Sequence, residues 1–157
     1  MNVVGHIIGG KHVAGTSGRT SPVYEPMTGD VRCEVALANR AEVRSAVENA
    51  KAAQIEWANF NPQRRARVMI KFLDLLSRNM ESLAELLARE NGKTIPDAKG
   101  DIQRGLEVVE FAVGIPHLMK GEFTDSAGPG IDLYSLRQPL GVVAGITPFN
   151  FPAMIPM

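Results

Sequence analysis

Cysteine is almost absent from this sequence: Cys33 is the only one among 157 residues, so no disulfide can form within the chain. That fits a reducing compartment. Net charge is missing too. The 17 Lys and Arg balance 17 Asp and Glu, which leaves no long-range field to gather nucleic acid or an anionic membrane surface. Long apolar runs are also lacking, because Asp, Glu, Lys or Arg interrupts every hydrophobic segment before the ~18–20 residues a membrane-spanning helix needs. The opening Met1-Asn2-Val3-Val4-Gly5-His6 has no basic stretch followed by an apolar one, and no Arg-rich amphipathic presequence. The three histidines, His6, His12 and His117, have no ligand-like spacing with one another or with Cys33, so no metal site is expected. Together these absences predict a cytoplasmic, soluble protein whose partners are small molecules. At this length, one compact domain burying roughly 70% of its unfolded surface is expected.

The patterning divides the chain by texture. Up to Leu37 it is broken by glycines and by Pro22 and Pro26, with β-branched runs between, which predicts short strands joined by turns. Met27-Thr28-Gly29-Asp30 reads as one such turn. From Asn39 the period becomes helical: Val43, Ala46, Val47, Ala50, Ala53 and Trp57 share a face, and Asn39 with Glu42 forms a capping box. Asn61-Pro62 opens a second helix with an N-cap residue and proline at the first helical position. Its wide apolar face, from Val68 to Leu87, predicts a largely buried helix running to Asn91-Gly92. A further helix begins near Pro96, turns Ala98, Ile102, Leu106 and Val109 inward, and kinks or ends at Gly114 and Pro116. β texture then returns. Gly128-Pro129-Gly130 makes a turn, residues 132–137 alternate as a half-exposed strand, and Val142-Val143-Ala144-Gly145-Ile146 reads as a strand covered on both faces in a parallel sheet. Phe151-Pro152 offers a helix start.

Most apparent motifs fail on inspection. Gly92-Lys93-Thr94 lacks the upstream glycine of a phosphate-binding loop, since Leu87 stands there, and Gly128-Pro129-Gly130 lacks the third glycine of a dinucleotide fingerprint. The basic cluster Arg64, Arg65, Arg67 and Lys71 has no interleaved aromatics and reads as a solvated helix side. Cys33 has neither a histidine nor a predicted helix N-terminus beside it, so it reads as a packed thiol. The loop Thr147-Pro148-Phe149-Asn150 is different. In an open parallel sheet, ligands lie beyond the carboxyl ends of strands, where this loop falls. The Asn150 carboxamide could donate to an oxygen becoming negative, or could simply be a turn asparagine; physics alone weighs these equally.

The segment Pro148-Phe149-Asn150-Phe151-Pro152, together with the Pro26 to Gly29 turn, Arg64-Arg65, Glu90-Asn91-Gly92-Lys93 and Gln138-Pro139-Leu140-Gly141, resembles the aldehyde dehydrogenase superfamily in the family's own order. Phe149, Gln103-Arg104-Gly105, Val109-Glu110-Phe111-Ala112 and His117-Leu118-Met119-Lys120-Gly121 resemble its CoA-acylating methylmalonate-semialdehyde branch. The implied fold is α/β, the N-terminal part of the aldehyde dehydrogenase fold: short N-terminal strands, a helical layer, then the first strand of a Rossmann-like parallel sheet. Residues 1–120 would be the strands and helical layer of the cofactor-binding domain, 121–140 an oligomerisation-type strand segment, and 141–157 the first strand, loop and helix start of the NAD-binding sheet.

The resemblance further implies NAD-dependent oxidation of methylmalonate or malonate semialdehyde through a cysteine thioester. Decarboxylation and transfer to CoA would yield propionyl-CoA or acetyl-CoA, serving valine, inositol or β-alanine breakdown. Asn150 would hold the aldehyde oxygen, and Ile146, Thr147, Pro148 and Phe149 would line NAD. Arg104 would clamp the semialdehyde carboxylate, against the alternative of an exposed Asp101–Arg104 pair. The nucleophilic cysteine, the downstream glycine-rich loop and the ribose-binding glutamate would lie beyond Met157, making this chain alone inactive. A homo-oligomer, a homotetramer in the family, is implied by the strand near residues 133–137. The alternatives are a CoA-independent dehydrogenase of the same superfamily, or a catalytically dead fragment acting as an interaction module.

Overall fold

The computed structural model describes residues 2–157. Seven short strands and five helices follow one another as β1 Val3–Val4, β2 His6–Ile8, β3 Lys11–Val13, β4 Thr20–Tyr24, β5 Val31–Ala36, α1 Arg40–Asn59, α2 Pro62–Arg78, α3 Met80–Asn91, α4 Ile95–Val113, α5 Ile115–Leu118, β6 Phe123–Gly128 and β7 Ile131–Tyr134. The order of short strands, helical layer and returning strands is the α/β arrangement the sequence predicts.

The N-terminal strands form a three-stranded sheet in the order β1-β5-β4 and a separate β2-β3 hairpin. Gly9 and Gly10 both have positive φ, 59° and 73°, which suits a two-residue hairpin loop whose twist matches the flanking strands. β4 and β5 pair antiparallel, with Val23 opposite Cys33, and Cys33 and Ala36 turn inward. Gly29 takes φ 80° in the turn between them.

Helix boundaries follow their capping chemistry. Asn39 accepts from the Glu42 N–H at 2.9 Å while the Glu42 carboxylate accepts from the Asn39 N–H at 2.7 Å, the reciprocal box that starts α1. Asn61 caps α2 by accepting from Arg64 N–H at 2.8 Å, with Pro62 in the first turn. The long helix expected from Pro62 is interrupted at Asn79, whose φ of −105° and ψ of 15° leave the helical region and divide it into α2 and α3. Asn79 Nδ2 donates to the Leu75 carbonyl at 2.7 Å, alongside its own N–H, which reaches the same carbonyl at 3.2 Å. Gly92 at φ 79° ends α3 in the left-handed region, as the sequence predicts. Thr94 caps α4, which ends at Gly114 ahead of the short α5.

The core sits where α2, α3 and α4 meet. Ala84, Leu87, Ala98 and Ile102 form one cluster, and Leu76, Leu106 and Val109 a second beside it. Burial is narrower than the apolar face of residues 68–87 predicts: Val68, Phe72, Leu75 and Leu86 are exposed. The accessible surface of 11747 Å² exceeds the roughly 7,700 Å² of a compact domain of this mass, and corresponds to burying only about half of the unfolded surface. The expectation of one compact unit burying about 70% is therefore corrected.

Two further expectations change at the end of the chain. Residues 142–146 form no strand, and 152–156 form turns rather than the start of a helix. A parallel strand exists only through ladder bonds to its neighbours, and the backbone groups of residues 142–148 have no main-chain partner among the described residues. The one parallel pairing among the described residues joins β1 to β5. Val142 and Val143 instead border open grooves along α1, with Ala50, Gln54 and Trp57.

Candidate active site

Of the residues singled out in the sequence, Phe149, Asn150 and Arg104 lie at the docking of residues 149–157 onto α4. Ile146, Thr147, Pro148, Phe149 and Asn150 are all exposed, and Asn150 lies in a surface bend with no parallel sheet behind it. Its carboxamide has no hydrogen-bond partner among the described residues. Its neighbours on either side are held. The Asn91 side chain donates to the Phe149 carbonyl at 2.9 Å, and the half-buried Phe151 places its ring 4.4 Å from Lys93 Nζ.

Among the described residues Asp101 is the one charged residue in the buried core, 1% exposed on the inner face of α4. An ionised carboxylate in such a position needs partners to offset its lost hydration. It has two: Oδ2 meets Lys93 Nζ at 3.2 Å, and Oδ1 accepts the Met154 N–H at 2.9 Å. The 154–157 turn can approach because the neighbouring helix position is Gly105, where a Cβ would collide with the Met157 side chain and come within 3.3 Å of Met154 Cα.

Arg104 is exposed, and its guanidinium carbon lies 6.0 Å from the centre of the Phe151 ring. Phe151 thus brings Arg104 into the neighbourhood of Asn150. The alternative Asp101–Arg104 pair is not formed, because Asp101 faces inward and its carboxylate is engaged by Lys93 and Met154. The basic cluster differs from its sequence reading in one respect: Arg64 stacks over Phe60 at 3.7 Å and Arg65 approaches the Met119 sulfur at 3.6 Å, so two of its members pack onto the fold.

The sequence reading missed Asn91, Lys93 and Asp101. For Asp101 the signal was available, since it falls among Ala98, Ile102, Gly105 and Leu106, the buried stripe of α4. A carboxylate within an apolar stripe calls for a cation or N–H donor nearby.

Comparison with known proteins decides the family, because the aldehyde dehydrogenase family profile matches residues 12–157. The chain belongs to the aldehyde dehydrogenase family. Within it, this aldehyde dehydrogenase chain is 44% identical over 157 residues to a malonate-semialdehyde dehydrogenase of Pseudomonas aeruginosa, covering 100% of this chain and 31% of that protein. It is 47% identical over 154 residues to an acylating mitochondrial methylmalonate-semialdehyde dehydrogenase of Arabidopsis thaliana, covering 98% and 25%. A crystal structure described as a methylmalonate-semialdehyde dehydrogenase of Sinorhizobium meliloti 1021 complexed with NAD superposes with a TM-score of 0.94 at 66% identity, covering 99% of this chain and 32% of that one. The chain thus spans about a third of the length of the relatives it matches, and corresponds to the N-terminal part of their fold.

Proposed function

We propose that these residues serve an NAD-dependent dehydrogenase of methylmalonate or malonate semialdehyde, as its N-terminal third. The observation that carries the reading is the 66% identity and TM-score of 0.94 to a structure holding NAD. Asn150 supplies the oxyanion donor: its carboxamide is exposed and uncommitted, while the Phe149 carbonyl before it is held by Asn91 and the Phe151 ring after it lies against Lys93. A preorganised N–H donor stabilises the aldehyde oxygen as it gains negative charge and costs no reorganisation during the reaction.

Bound NAD would supply the hydride acceptor. The donor set of 146–149 fits one wall of such a site. Its main-chain groups from 146 to 148 are unpaired among the described residues, and the exposed side chains of Ile146 and Phe149 offer uncharged contact surface. Thr147 and Pro148 complete that strip. Arg104 presents a guanidinium beside Phe151, where two parallel N–H groups can hold the carboxylate that distinguishes a semialdehyde from a plain aldehyde. Acyl transfer to CoA, a cytoplasmic location and assembly through the exposed β6-β7 hairpin into a homo-oligomer belong to the same proposal. An unpaired edge such as this hairpin favours pairing with another chain.

The test uses the protein that carries these 157 residues, following NADH absorbance with malonate semialdehyde in the presence and absence of CoA. Turnover that depends on CoA is expected; turnover indifferent to CoA would move the assignment to a CoA-independent dehydrogenase. Asn150→Ala should lower kcat by roughly 10²–10³-fold. Arg104→Leu should raise KM for the carboxylated aldehyde far more than for propanal, and equal effects on both would remove Arg104 from substrate recognition.

A further inference from the structure

Asp101 occupies a place where an apolar side chain would pack without a desolvation cost. Its neighbours along the buried stripe are Ala98, Ile102, Gly105 and Leu106. A buried charge pair is weak evidence for stability but can fix one arrangement of the chain against others. Both carboxylate oxygens reach outside α4. One meets Lys93, which precedes the helix, and the other takes the Met154 N–H, which lies 53 residues further on.

Lys93 is shared in turn. Its ammonium faces Asp101 at 3.2 Å and lies 4.4 Å from the centre of the Phe151 ring, so it ties the carboxylate to the residue that follows Asn150. Asn91, two residues before Lys93, holds the carbonyl of the residue that precedes Asn150. Three anchor points, at 149, 151 and 154, therefore all lead back to the segment from Asn91 to Asp101. Asn150 stands inside this bracket with its own carboxamide free.

We infer that Asp101, through Lys93 and the Met154 N–H and together with Asn91, forms a clamp that sets the position of the Asn150 carboxamide. Asp101 and Asn91 are thus positioning residues. The inference rests on the reading of Asn150 as the oxyanion donor. A shift of that donor by about 1 Å suffices for a loss on the order of a hundredfold.

The test is a double-mutant cycle in the protein that carries this chain, read together with hydrogen exchange at the Met154 amide. Asp101→Ala should lower kcat roughly tenfold to a hundredfold with Asn150 present. In the Asn150→Ala background it should change kcat by less than about twofold, because the group it positions is gone. Exchange at Met154 should accelerate. Asp101→Asn, which retains an acceptor for Met154, should restore most of the protection. Should Asp101→Ala fail to fold, Asn91→Asp removes the donor to Phe149 from a half-buried position and should show the same non-additivity. Equal losses in both backgrounds, or unchanged exchange at Met154, would overturn the clamp. If Asn150→Ala alone leaves turnover intact, the oxyanion reading falls, and the exchange measurements still decide whether the clamp exists.

Discussion

Helices α1 and α4 are close in length, 20 and 19 residues, yet α4 buries Ala98, Asp101, Ile102, Gly105, Leu106 and Val109 while α1 buries none. Both carry an apolar stripe in the sequence. The difference is what faces the stripe. α4 is covered by α2, α3 and the 149–157 turn, with Ala153 and Met157 packed against the two clusters. α1 turns Val43, Val47 and Trp57 toward open grooves bordered by β2, by residues 141–143 and, at Trp57, by α2 and α5. An amphipathic pattern predicts a helix and the side it would bury; it does not supply the partner.

Removing the same kind of side chain from the two helices should break their apparent likeness most sharply. Ile102 is 1% exposed and packs with Ala84, Leu87 and Ala98, so Ile102→Ala should cost about 2–5 kcal/mol through lost burial and the cavity left behind. Ile55 on α1 is exposed, and Ile55→Ala should stay within about 0.5 kcal/mol in the 157-residue chain. Urea unfolding of both variants measures the contrast. Similar midpoint shifts would mean that α1 is covered in solution.

A smaller effect compares two glycines of almost equal backbone geometry. Gly92, between α3 and α4, has φ 79°, and Gly130, in the β6-β7 turn, has φ 69°. An alanine at either position carries left-handed strain of about 1–2 kcal/mol. At Gly92 the new Cβ would also lie 3.1 Å from Pro26 Cγ, whereas nothing lies within 4 Å at Gly130. Gly92→Ala should therefore shift global unfolding by at least about 1–2 kcal/mol. Every strand residue of the hairpin is exposed or nearly so, so Gly130→Ala should appear as faster local amide exchange, with under about 0.5 kcal/mol in the global midpoint. A global shift of equal size would show that the hairpin unfolds together with the helices.

The same contrast explains how much was legible in the sequence. Caps and stops were readable because their chemistry is local: Asn39 with Glu42, Asn61 with Pro62 and the left-handed Gly92 each act within a few residues. The family resemblance was readable from a few short motifs in order. The break at Asn79 was not, since the apolar pattern continues across it. The strand expected at 142–146 failed for a different reason: its alternation-free apolar run is a statement about covered faces, and no strand among the described residues lies beside it. At the site, Asn150 could be singled out, but the residues that hold its neighbours could not. Asn91, Lys93 and Asp101 act over separations of 58, 58 and 53 residues, and no spacing rule reaches that far.

The smallest expected effect lies at the start of α1, where a loosely packed helix still has a well-formed end. The Glu42 carboxylate accepts from Thr16 N–H at 2.6 Å and from Asn39 N–H at 2.7 Å. These backbone bonds, Asn39 first and then Thr16, hold its pKa below the ordinary value, with a further contribution from His6. A carboxyl group with a lowered folded pKa contributes stability that is present above its unfolded pKa and is lost as pH falls through the folded one. Acidification should therefore loosen the link between the 14–17 loop and α1 while the α2-α3-α4 core, which does not use this group, keeps its packing. Glu42→Gln leaves an acceptor but no titrating charge, so the difference in urea midpoint between the two proteins should shrink toward zero as the pH drops below the usual carboxylate range. The Thr16 and Asn39 amide shifts should titrate in the wild-type chain with a midpoint below that of an ordinary glutamate. A difference that stays constant with pH, or a midpoint at or above the ordinary value, would mean that Glu42 is not held by these two N–H groups in solution and that α1 lacks the one firm attachment distinguishing its N-terminus from its exposed body.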